Sequence, residues 1–199
     1  MKQYLIFDFE TTGLYPPKAS PVQLSYIILT EDFSLLEAKN FYFSVPFIPI
    51  EASRIHGLTV ERLKKLNAKK IEECKDEIAN DFSLENTTAI AHNCSFDCKF
   101  FRSFIGEINF NLFCTMRYYT PIIKIPGKLD SFKWPRLSES LEYKNISSSD
   151  VLKECKSIFL SQDVGFHDSR FDVSCILKLI QNDSNLKKSI EKLSSAKES

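Results

Sequence analysis

The chain has 199 residues, 43% of them hydrophobic, which is enough to bury one sizeable core and predicts a single domain. Lysine plus arginine and aspartate plus glutamate each total 26, so the net charge is zero and argues against a protein that coats nucleic acid through bulk charge. Near the N-terminus an apolar run meets Asp8 and Glu10 too early for a signal peptide, and no stretch approaches membrane-spanning length. These features predict a cytoplasmic protein without membrane contact.

The first predicted elements are strands. Residues 3–9 are almost all apolar or aromatic, as in a central strand buried on both faces, and the strand is predicted to end at the turn 11–13. Residues 22–29 are β-branched and aromatic, and residues 38–45 alternate apolar and polar side chains. We expect these two segments to extend the first strand in an antiparallel arrangement.

Helices and strands alternate in the next part of the chain. Thr59 is a candidate N-cap for one helix. Apolar spacing then predicts, in order, helix 71–84, strand 87–91, helix 96–105, strand 111–115 and helices 137–143 and 171–181. This order predicts an α/β sandwich, with helices on both faces of a five-stranded mixed sheet. Residues 1–182 are predicted to form the domain, and the polar segment 183–199 a frayed tail.

One insertion interrupts this pattern at residues 121–135. It contains three prolines together with Lys124, Lys128 and Lys133, which predicts a surface loop of the kind that carries binding contacts. With Trp134 and Arg136, the loop could guide a nucleic-acid strand. A solvated loop anchored by one tryptophan is the alternative interpretation.

The six cysteines form no C-x-x-C pair and are predicted to be reduced packing residues. His92, Cys94 and Cys98 suggest a zinc site as an alternative, but their spacing fits no standard zinc pattern and a second ligand pair is missing.

Two acidic residues stand at the end of the first predicted strand. Asp8 and Glu10 are two positions apart, so strand geometry directs both carboxylates to the same face. Burying them unpaired would be costly, and a metal ion or an arginine would have to neutralise them. The alternatives are therefore a metal site and an exposed strand end.

Further candidates follow later in the chain. Asp97 comes just after the predicted strand 87–91. Its carboxylate could belong to a functional site at the carboxyl edge of the sheet, or it could only interact favourably with the dipole at a helix N-terminus. His167 and Asp172 face one site only if His167 precedes the helix, since five residues within a helix would turn them about 140° apart. Asp168 or Ser169 could cap that helix, and histidine is well suited to deprotonating water near neutral pH.

Three motifs in order resemble the DEDDh exonucleases of the DnaQ-like superfamily, the superfamily of the proofreading epsilon subunit of DNA polymerase III. The first motif is Asp-Phe-Glu-Thr-Thr-Gly at 8–13, the second is His-Asn-x-x-Phe-Asp at 92–97, and the third is His167 followed five residues later by Asp172. The segment 53–59 also resembles the family's region between its third strand and first helix.

The resemblance implies a ribonuclease H-like fold and a metal-dependent 3'-to-5' exonuclease. It implies that Asp8, Glu10, Asp97 and Asp172 hold two ions of Mg²⁺ or Mn²⁺, with His167 as general base, and that nucleoside 5'-monophosphates are released. Asp168 stands where a related subclass has tyrosine, which favours the histidine variant and leaves Asp168 open as an accessory ligand.

By the same resemblance, residues of the first motif contact the terminal nucleotide of the substrate. These residues are Thr11, Thr12, Gly13 and Leu14. His56 and Phe96 are further contact candidates, although His56 could instead brace a loop and Phe96 could belong to the core. Arg170 could stabilise phosphate or only cover a helix face.

Single-stranded DNA or RNA 3' ends are the expected substrates, and a DNA polymerase is a candidate partner. The rival interpretation is a binding or scaffolding subunit associated with a polymerase. The choice between DNA and RNA depends on contacts to the 2'-hydroxyl that the sequence does not reveal.

Overall fold

The computed structural model describes residues 3–83, 87–129 and 131–195. Within these ranges the centre is a five-stranded sheet in the order β3-β2-β1-β4-β5. The strands are β1 (Gln3–Thr11), β2 (Pro21–Leu29), β3 (Leu35–Tyr42), β4 (Thr87–Ala91) and β5 (Asn111–Cys114). The pairs β1–β2 and β2–β3 are antiparallel, whereas β1–β4 and β4–β5 are parallel. The predicted mixed sheet is confirmed.

The central position of β1 follows from its apolar sequence. Ile6 pairs with Ile27 of β2 on one side and with Ile90 of β4 on the other, and all three are fully buried. A strand flanked and covered in this way needs apolar side chains on both faces.

The edge strand β3 begins and ends about three residues earlier than the predicted segment 38–45. Its side chains are half-buried or exposed, with Leu35 and Leu36 open to solvent. Beyond β3, Phe43 forms an isolated bridge to Lys69, and its amide donates to the Val22 carbonyl at 2.9 Å. The rings of Phe41 and Phe43 stack with their centroids 6.4 Å apart.

Helices cover both faces of the sheet. They are α1 (Ile50–His56), α2 (Val60–Lys65), α3 (Ile71–Phe82), α4 (Cys94–Phe104), α5 (Thr115–Ile123), α6 (Leu137–Tyr143), α7 (Ser148–Ile158), α8 (Ser169–Asn182) and α9 (Ser184–Ser195). The predicted N-cap of α2 is confirmed, because the Thr59 hydroxyl accepts a hydrogen bond from the Arg62 amide at 3.1 Å.

Two apolar cores lie on opposite faces of the sheet. On one face, Tyr4 and Ile6 of β1 pack in a cluster with Ile176 and Ile180 of α8. On the other face, alternate residues of β1 join a cluster rich in phenylalanine; its members include Leu5, Phe7, Phe9, Phe82, Phe100 and Phe101. The three-layer α/β/α arrangement predicted from the order of elements is therefore present.

The structure differs from the sequence prediction at the C-terminus. The segment from residue 183 was expected to be a frayed polar tail, but Ser184–Ser195 form α9. Leu186 and Ile190 lie four residues apart on one face of α9 and are fully buried in the core beside α8. The high serine and lysine content hid this narrow apolar stripe. Residues 196–199 lie outside the described part.

The insertion predicted at 121–135 also begins later than expected. Helix α5 continues through Pro121 to Ile123, held by Met116 and Tyr119, which are buried. The rest is an exposed hairpin closed by a bridge between Pro126 and Phe132. The prediction of a surface segment is correct for this part.

All six cysteines are free thiols, and five of them are buried, as predicted. Among the helices of the described ranges, none is both long and apolar enough to cross a membrane.

Candidate active site

The acidic pair on β1 lies where the strand leaves the core. Asp8 and Glu10 are half-buried, and the register between β1 and β2 shifts directly after Glu10. Phe7 and Phe9, the neighbours of Asp8, point into the opposite, phenylalanine-rich core. Alternation along β1 therefore places both carboxylates on the face covered by α8, as predicted from their spacing.

Helix α8 brings a third carboxylate to this pair. Asp172 lies in the first turn of α8, which packs on β1 and β2. Carboxylate oxygens of Asp8, Glu10 and Asp172 lie within 4.8 Å of one another, close enough to share one cation. Within the described residues, no other group of three or more histidine, cysteine, aspartate or glutamate side chains has its ligand atoms close enough together to hold one metal ion.

Asp97 lies next to this cluster but outside it. Its side chain is 1% exposed at the start of α4, and its Oδ1 accepts a hydrogen bond from the Phe9 amide at 3.2 Å. Because Phe9 lies between Asp8 and Glu10, this bond ties α4 to the strand that carries the acidic pair. The structure thus brings together three of the four carboxylates predicted to be ligands and places the fourth beside them.

Burial and mutual repulsion raise the pKa of the acidic side chains in this site. Burial, followed by the charges of Asp97 and Asp172, raises the pKa of Asp8 well above its ordinary value. Burial, followed by the charges of Asp172 and Asp168, does the same to the pKa of Glu10. Burial also raises the pKa of Asp97 to about 8 and, with the charge of Asp168, that of Asp172 to about 7. A hard divalent cation bound by carboxylate oxygens would relieve this repulsion, so the donor set fits Mg²⁺ or Mn²⁺.

His167 lies just before α8, which is the position that allows its side chain to face the same site as Asp172. Asp168 is the N-cap of α8, so His167 belongs to the preceding loop, where its φ of 57° is in the left-handed region. Its side chain is exposed and lines a cleft of about 510 Å³ together with Asp172. The cleft walls also include Phe166, Arg136, Leu137 and Ser138.

Asp168 and Arg170 form a buried ion pair beside the acidic cluster. Arg170 Nη2 lies 2.7 Å from Asp168 Oδ2, and Arg170 Nε donates to Asp168 Oδ1 at 2.9 Å. Asp168 also accepts the Arg170 amide as the cap of α8. These bonds occupy Asp168, which the sequence left open as a metal ligand. Arg170 is 4% exposed and pairs with Asp168 and Asp163, so it does not cover an exposed helix face, and its guanidinium is engaged within the protein.

The turn after β1 is held by its own hydroxyl groups. Thr11 Oγ1 donates to the Gly13 carbonyl at 2.7 Å, and the Ser20 amide donates to Thr12 Oγ1 at 2.9 Å. A Cβ at Gly13 would lie 3.3 Å from Ala19 Cβ, which is tight contact. Leu14, which follows this turn, is 65% exposed. An apolar side chain is therefore open to solvent just after β1, the strand that carries Asp8 and Glu10.

The two weaker contact candidates differ in character. His56 is 7% exposed, and its Nδ1 accepts the Leu58 amide at 3.1 Å, so the neutral ring carries its proton on Nε2. That Nε2 has no well-formed hydrogen bond within the described chain, although the Thr11 backbone lies near it. Burial lowers the pKa of His56. Phe96 is half-buried and packs on Phe100 with ring centroids 5.0 Å apart, which supports its core role.

Sequence reasoning missed two supporting residues on β2. Gln23 Nε2 donates to Asp168 Oδ1 at 2.9 Å, and Ser25 Oγ lies 2.6 Å from Ser169 Oγ. Both side chains are fully buried and fasten the start of α8 to the sheet. Polar residues inside an otherwise apolar strand were the available signal.

The alternative zinc site has no support. His92 Nδ1 lies 2.9 Å from Thr115 Oγ1, and His92 Nε2 lies 2.9 Å from the Pro135 carbonyl oxygen. Both ring nitrogens of His92 are therefore engaged in hydrogen bonds within the protein. Cys94 Sγ donates to the Phe113 carbonyl at 3.1 Å.

Comparison with known proteins assigns the family. The exonuclease family model RNase_T matches residues 5–180, which is most of the chain. The chain belongs to this exonuclease family. A curated relative, DNA polymerase III subunit epsilon of Rickettsia prowazekii, is 36% identical over 102 residues. That match covers 48% of this chain and 41% of the relative, so the chain matches less than half of the relative's length.

Solved structures of exonucleases share the fold. E. coli exonuclease I in complex with a dT13 oligonucleotide superposes with a TM-score of 0.70 at 16% identity, covering 95% of this chain and 43% of that one. Exonuclease X in complex with 5' overhanging duplex DNA gives a TM-score of 0.62 at 15% identity, covering 96% and 99%. The ribonuclease H-like fold and the DnaQ-like resemblance inferred from the motifs are thereby confirmed.

Proposed function

We propose that this chain is a DEDDh-type, metal-dependent 3'-to-5' exonuclease that hydrolyses single-stranded DNA or RNA to nucleoside 5'-monophosphates. The observation that carries the proposal is the convergence of Asp8, Glu10 and Asp172 within 4.8 Å, with Asp172 also lining the cleft that His167 lines. Membership of the exonuclease family supports the hydrolysis of a phosphodiester at a chain end.

Asp8, Glu10 and Asp172 would hold the divalent cations, with Asp97 completing the ligand set. Asp97 already braces the backbone between the acidic pair through the Phe9 amide. Two such cations, when bound, lower the pKa of an attacking water and stabilise the charge that develops on the leaving 3' oxygen.

His167 would remove the proton from the attacking water. Its exposed position in the loop before α8 leaves the imidazole free to approach a substrate phosphate from the solvent side of the cleft. A histidine is suited to this step because its ordinary pKa lies near neutral pH. Asp168 does not compete for the role, because its oxygens are occupied by Arg170 and Gln23.

The terminal nucleotide would rest on the turn after β1. The exposed Leu14 side chain offers an apolar surface for a base, and the Thr11–Gly13 backbone brings polar groups close to the sugar. The buried Nε2–H of His56, which lacks a well-formed bond in the described chain, is a donor available for a sugar or phosphate oxygen. Phe96 packs on Phe100, so its ring is the weaker candidate for contact with the nucleotide.

The nature of the substrate follows only as a proposal. Exonuclease I was solved with a deoxythymidine oligonucleotide, which favours single-stranded DNA for this chain. The name of the Rickettsia relative makes a DNA polymerase a candidate partner. A binding or scaffolding role within such an assembly is the rival proposal.

Degradation of 5'-labelled DNA and RNA single strands of matched sequence tests the proposal. The strands are incubated with Mg²⁺, Mn²⁺ or EDTA, beside an Asp8→Asn variant and a control Asp76→Asn variant on the exposed face of α3. We expect a ladder that shortens from the 3' end with metal, vanishes with EDTA and in Asp8→Asn, and persists in Asp76→Asn. Binding of the strands without cleavage under every metal condition would support the rival role instead.

A further inference from the structure

The segment between α5 and α6 contains a hairpin whose described residues are 125–129 and 131–133. The Gly127 amide donates to the Ser131 carbonyl at 2.9 Å, and the Lys133 amide donates to the Ile125 carbonyl at 2.9 Å. A Cβ at position 127 would lie 2.8 Å from the Ser131 carbonyl oxygen, so glycine is required for this close approach. Backbone hydrogen bonds therefore join the two described arms of the hairpin, which carry its side chains.

The hairpin and the residue after it expose apolar side chains. Leu129 at the tip is fully exposed, Phe132 is 47% exposed and Trp134 is 60% exposed. Single exposed apolar residues are ordinary, but three within six positions form a patch of the kind that marks a binding surface. Two of them are aromatic and offer flat faces for stacking.

Basic residues surround this patch. Residues 124–136 contain four basic side chains and one acidic side chain, although the whole chain has no net charge. Lys133 pairs with Glu139 at 2.6 Å, which fixes the base of the hairpin to α6. Lys124, Lys128 and Arg136 are exposed. Aromatic faces interleaved with cations are the combination that binds single-stranded nucleic acid.

The hairpin is joined to the candidate active site at its base. His92, which follows β4, holds the Pro135 carbonyl, and the next residue, Arg136, lines the cleft that contains His167 and Asp172. The exposed rings of Phe132 and Trp134 therefore lie within four residues of Arg136, a cleft residue. We expect a strand whose 3' end lies at the acidic cluster to meet these rings upstream of that end.

We propose that Phe132 and Trp134, with Lys128 and Arg136, bind the single strand upstream of the cleaved end, the rings stacking on bases and the cations contacting phosphates. This proposal rests on the exonuclease function proposed above and extends it to the binding of the strand upstream of the cleaved end. Base stacking tolerates any sequence, so the surface would increase affinity for long strands without selecting a particular base.

The fluorescence of Trp134 tests this proposal without catalysis, because it is the chain's one tryptophan. Oligothymidylate dodecamer is titrated into the intact protein in EDTA. We expect saturable quenching, and an apparent Kd that rises at least about fivefold in Phe132→Ala, the lower range for loss of one stacking contact. Tyr143→Ala, an exposed aromatic at the far end of α6, is the matched control and should leave the Kd unchanged. Unchanged fluorescence at saturating dodecamer overturns the proposal.

Steady-state kinetics separate this proposal from the exonuclease function itself. Trp134→Ala should raise KM for the dodecamer at least about fivefold while leaving turnover of a nitrophenyl ester of thymidine 5'-monophosphate unchanged, because one nucleotide cannot reach the hairpin. Lys128→Ala should reduce the salt dependence of dodecamer binding, whereas Lys153→Ala on exposed α7 should not. An unchanged KM in Trp134→Ala overturns the hairpin proposal alone. Failure of the wild-type protein to cleave DNA strands, RNA strands and the ester overturns the exonuclease proposal, and Trp134 quenching still reports the hairpin contact.

Discussion

The acidic side chains at the candidate active site oppose folding when no cation is bound. Asp8, Glu10 and Asp172 bring like charges within 4.8 Å in a half-buried place, and burial raises the pKa of each. Such destabilised groups are characteristic of functional sites, where chemistry rather than stability selects the residues.

Asp172→Asn should therefore separate activity from stability. Removing a cation ligand should lower the rate on single-stranded DNA by about 10³-fold or more, since a metal-ion site contributes several kcal/mol to such reactions. Removing one of the clustered charges should raise the melting temperature of the metal-free protein at about pH 8. Rate assays and thermal melts in EDTA check both effects, with Asp76→Asn as the control. A melting temperature that falls would contradict the repulsion argument.

His167→Gln should affect the chemical step and leave the cations bound. Loss of a general base typically lowers kcat by about 10²- to 10⁴-fold. Because His167 is exposed and lies outside the carboxylate cluster, the Mn²⁺ dissociation constant from calorimetry should change little. Near wild-type kcat in this variant would remove His167 from the mechanism.

At the scale of elements, the start of α8 determines the geometry of the site. Asp168 caps α8, pairs with Arg170 and accepts a bond from Gln23 of β2, so the helix that carries Asp172 is fixed to the sheet that carries Asp8. Position and charge at the site thus depend on a buried network of contacts within the protein.

Asp168→Asn should test this structural role. Arg170 would be left buried with a weaker partner, and breaking a buried pair costs about 3 kcal/mol of unfolding free energy. Urea denaturation of the variant measures that cost, with Asp76→Asn as the control. Unchanged stability together with a large rise in the Mg²⁺ concentration for half-maximal activity would instead make Asp168 a metal ligand.

The elements that sequence patterns predicted well are those with simple burial. Residues 87–91 are apolar or small and form β4 as predicted, and the apolar run at 3–9 lies within β1. Helix α9 was missed because only Leu186 and Ile190 are fully buried in a polar sequence. Helix α5 had no predicted bounds, and its end overlaps the predicted insertion because Pro121 resembles a helix breaker, yet tertiary packing of Tyr119 holds the helix.

The residues of the candidate site were predictable from the sequence, but some of the contacts that they make were not. Motif spacing and strand alternation led to Asp8, Glu10 and Asp172 meeting near His167. The role of Asp168 depends on Gln23 and Arg170, and the hydrogen bond of Asp97 to the Phe9 amide depends on how α4 meets β1. Such contacts between distant segments arise from tertiary packing and have no local pattern in the sequence.

For the whole molecule, the raised pKa values make stability depend on pH. An acid whose folded pKa exceeds its unfolded value binds more protons when folded, so stability falls as pH rises from about 4 through the folded value. For Asp172 and Asp97 those folded values are about 7 and about 8. The metal-free protein should therefore lose stability between about pH 4 and pH 8 at this site.

Divalent cations should offset that loss most strongly at high pH, where the carboxylates release their protons. Thermal melts with and without Mn²⁺ at about pH 5.5 and about pH 8 measure the effect. We expect a larger gain in melting temperature at the higher pH, and a smaller difference in Asp172→Asn. An equal or larger gain at the lower pH would show that the cation does not compete with these protons.

Anomalous X-ray scattering from crystals soaked in Mn²⁺ tests the central claim most directly, because it locates the cations. We predict two manganese peaks between Asp8, Glu10 and Asp172, with Asp97 turned to complete the ligands, and loss of at least one peak in Asp172→Asn. Well-ordered carboxylates with no manganese between them at saturating Mn²⁺ would contradict the metal-dependent mechanism.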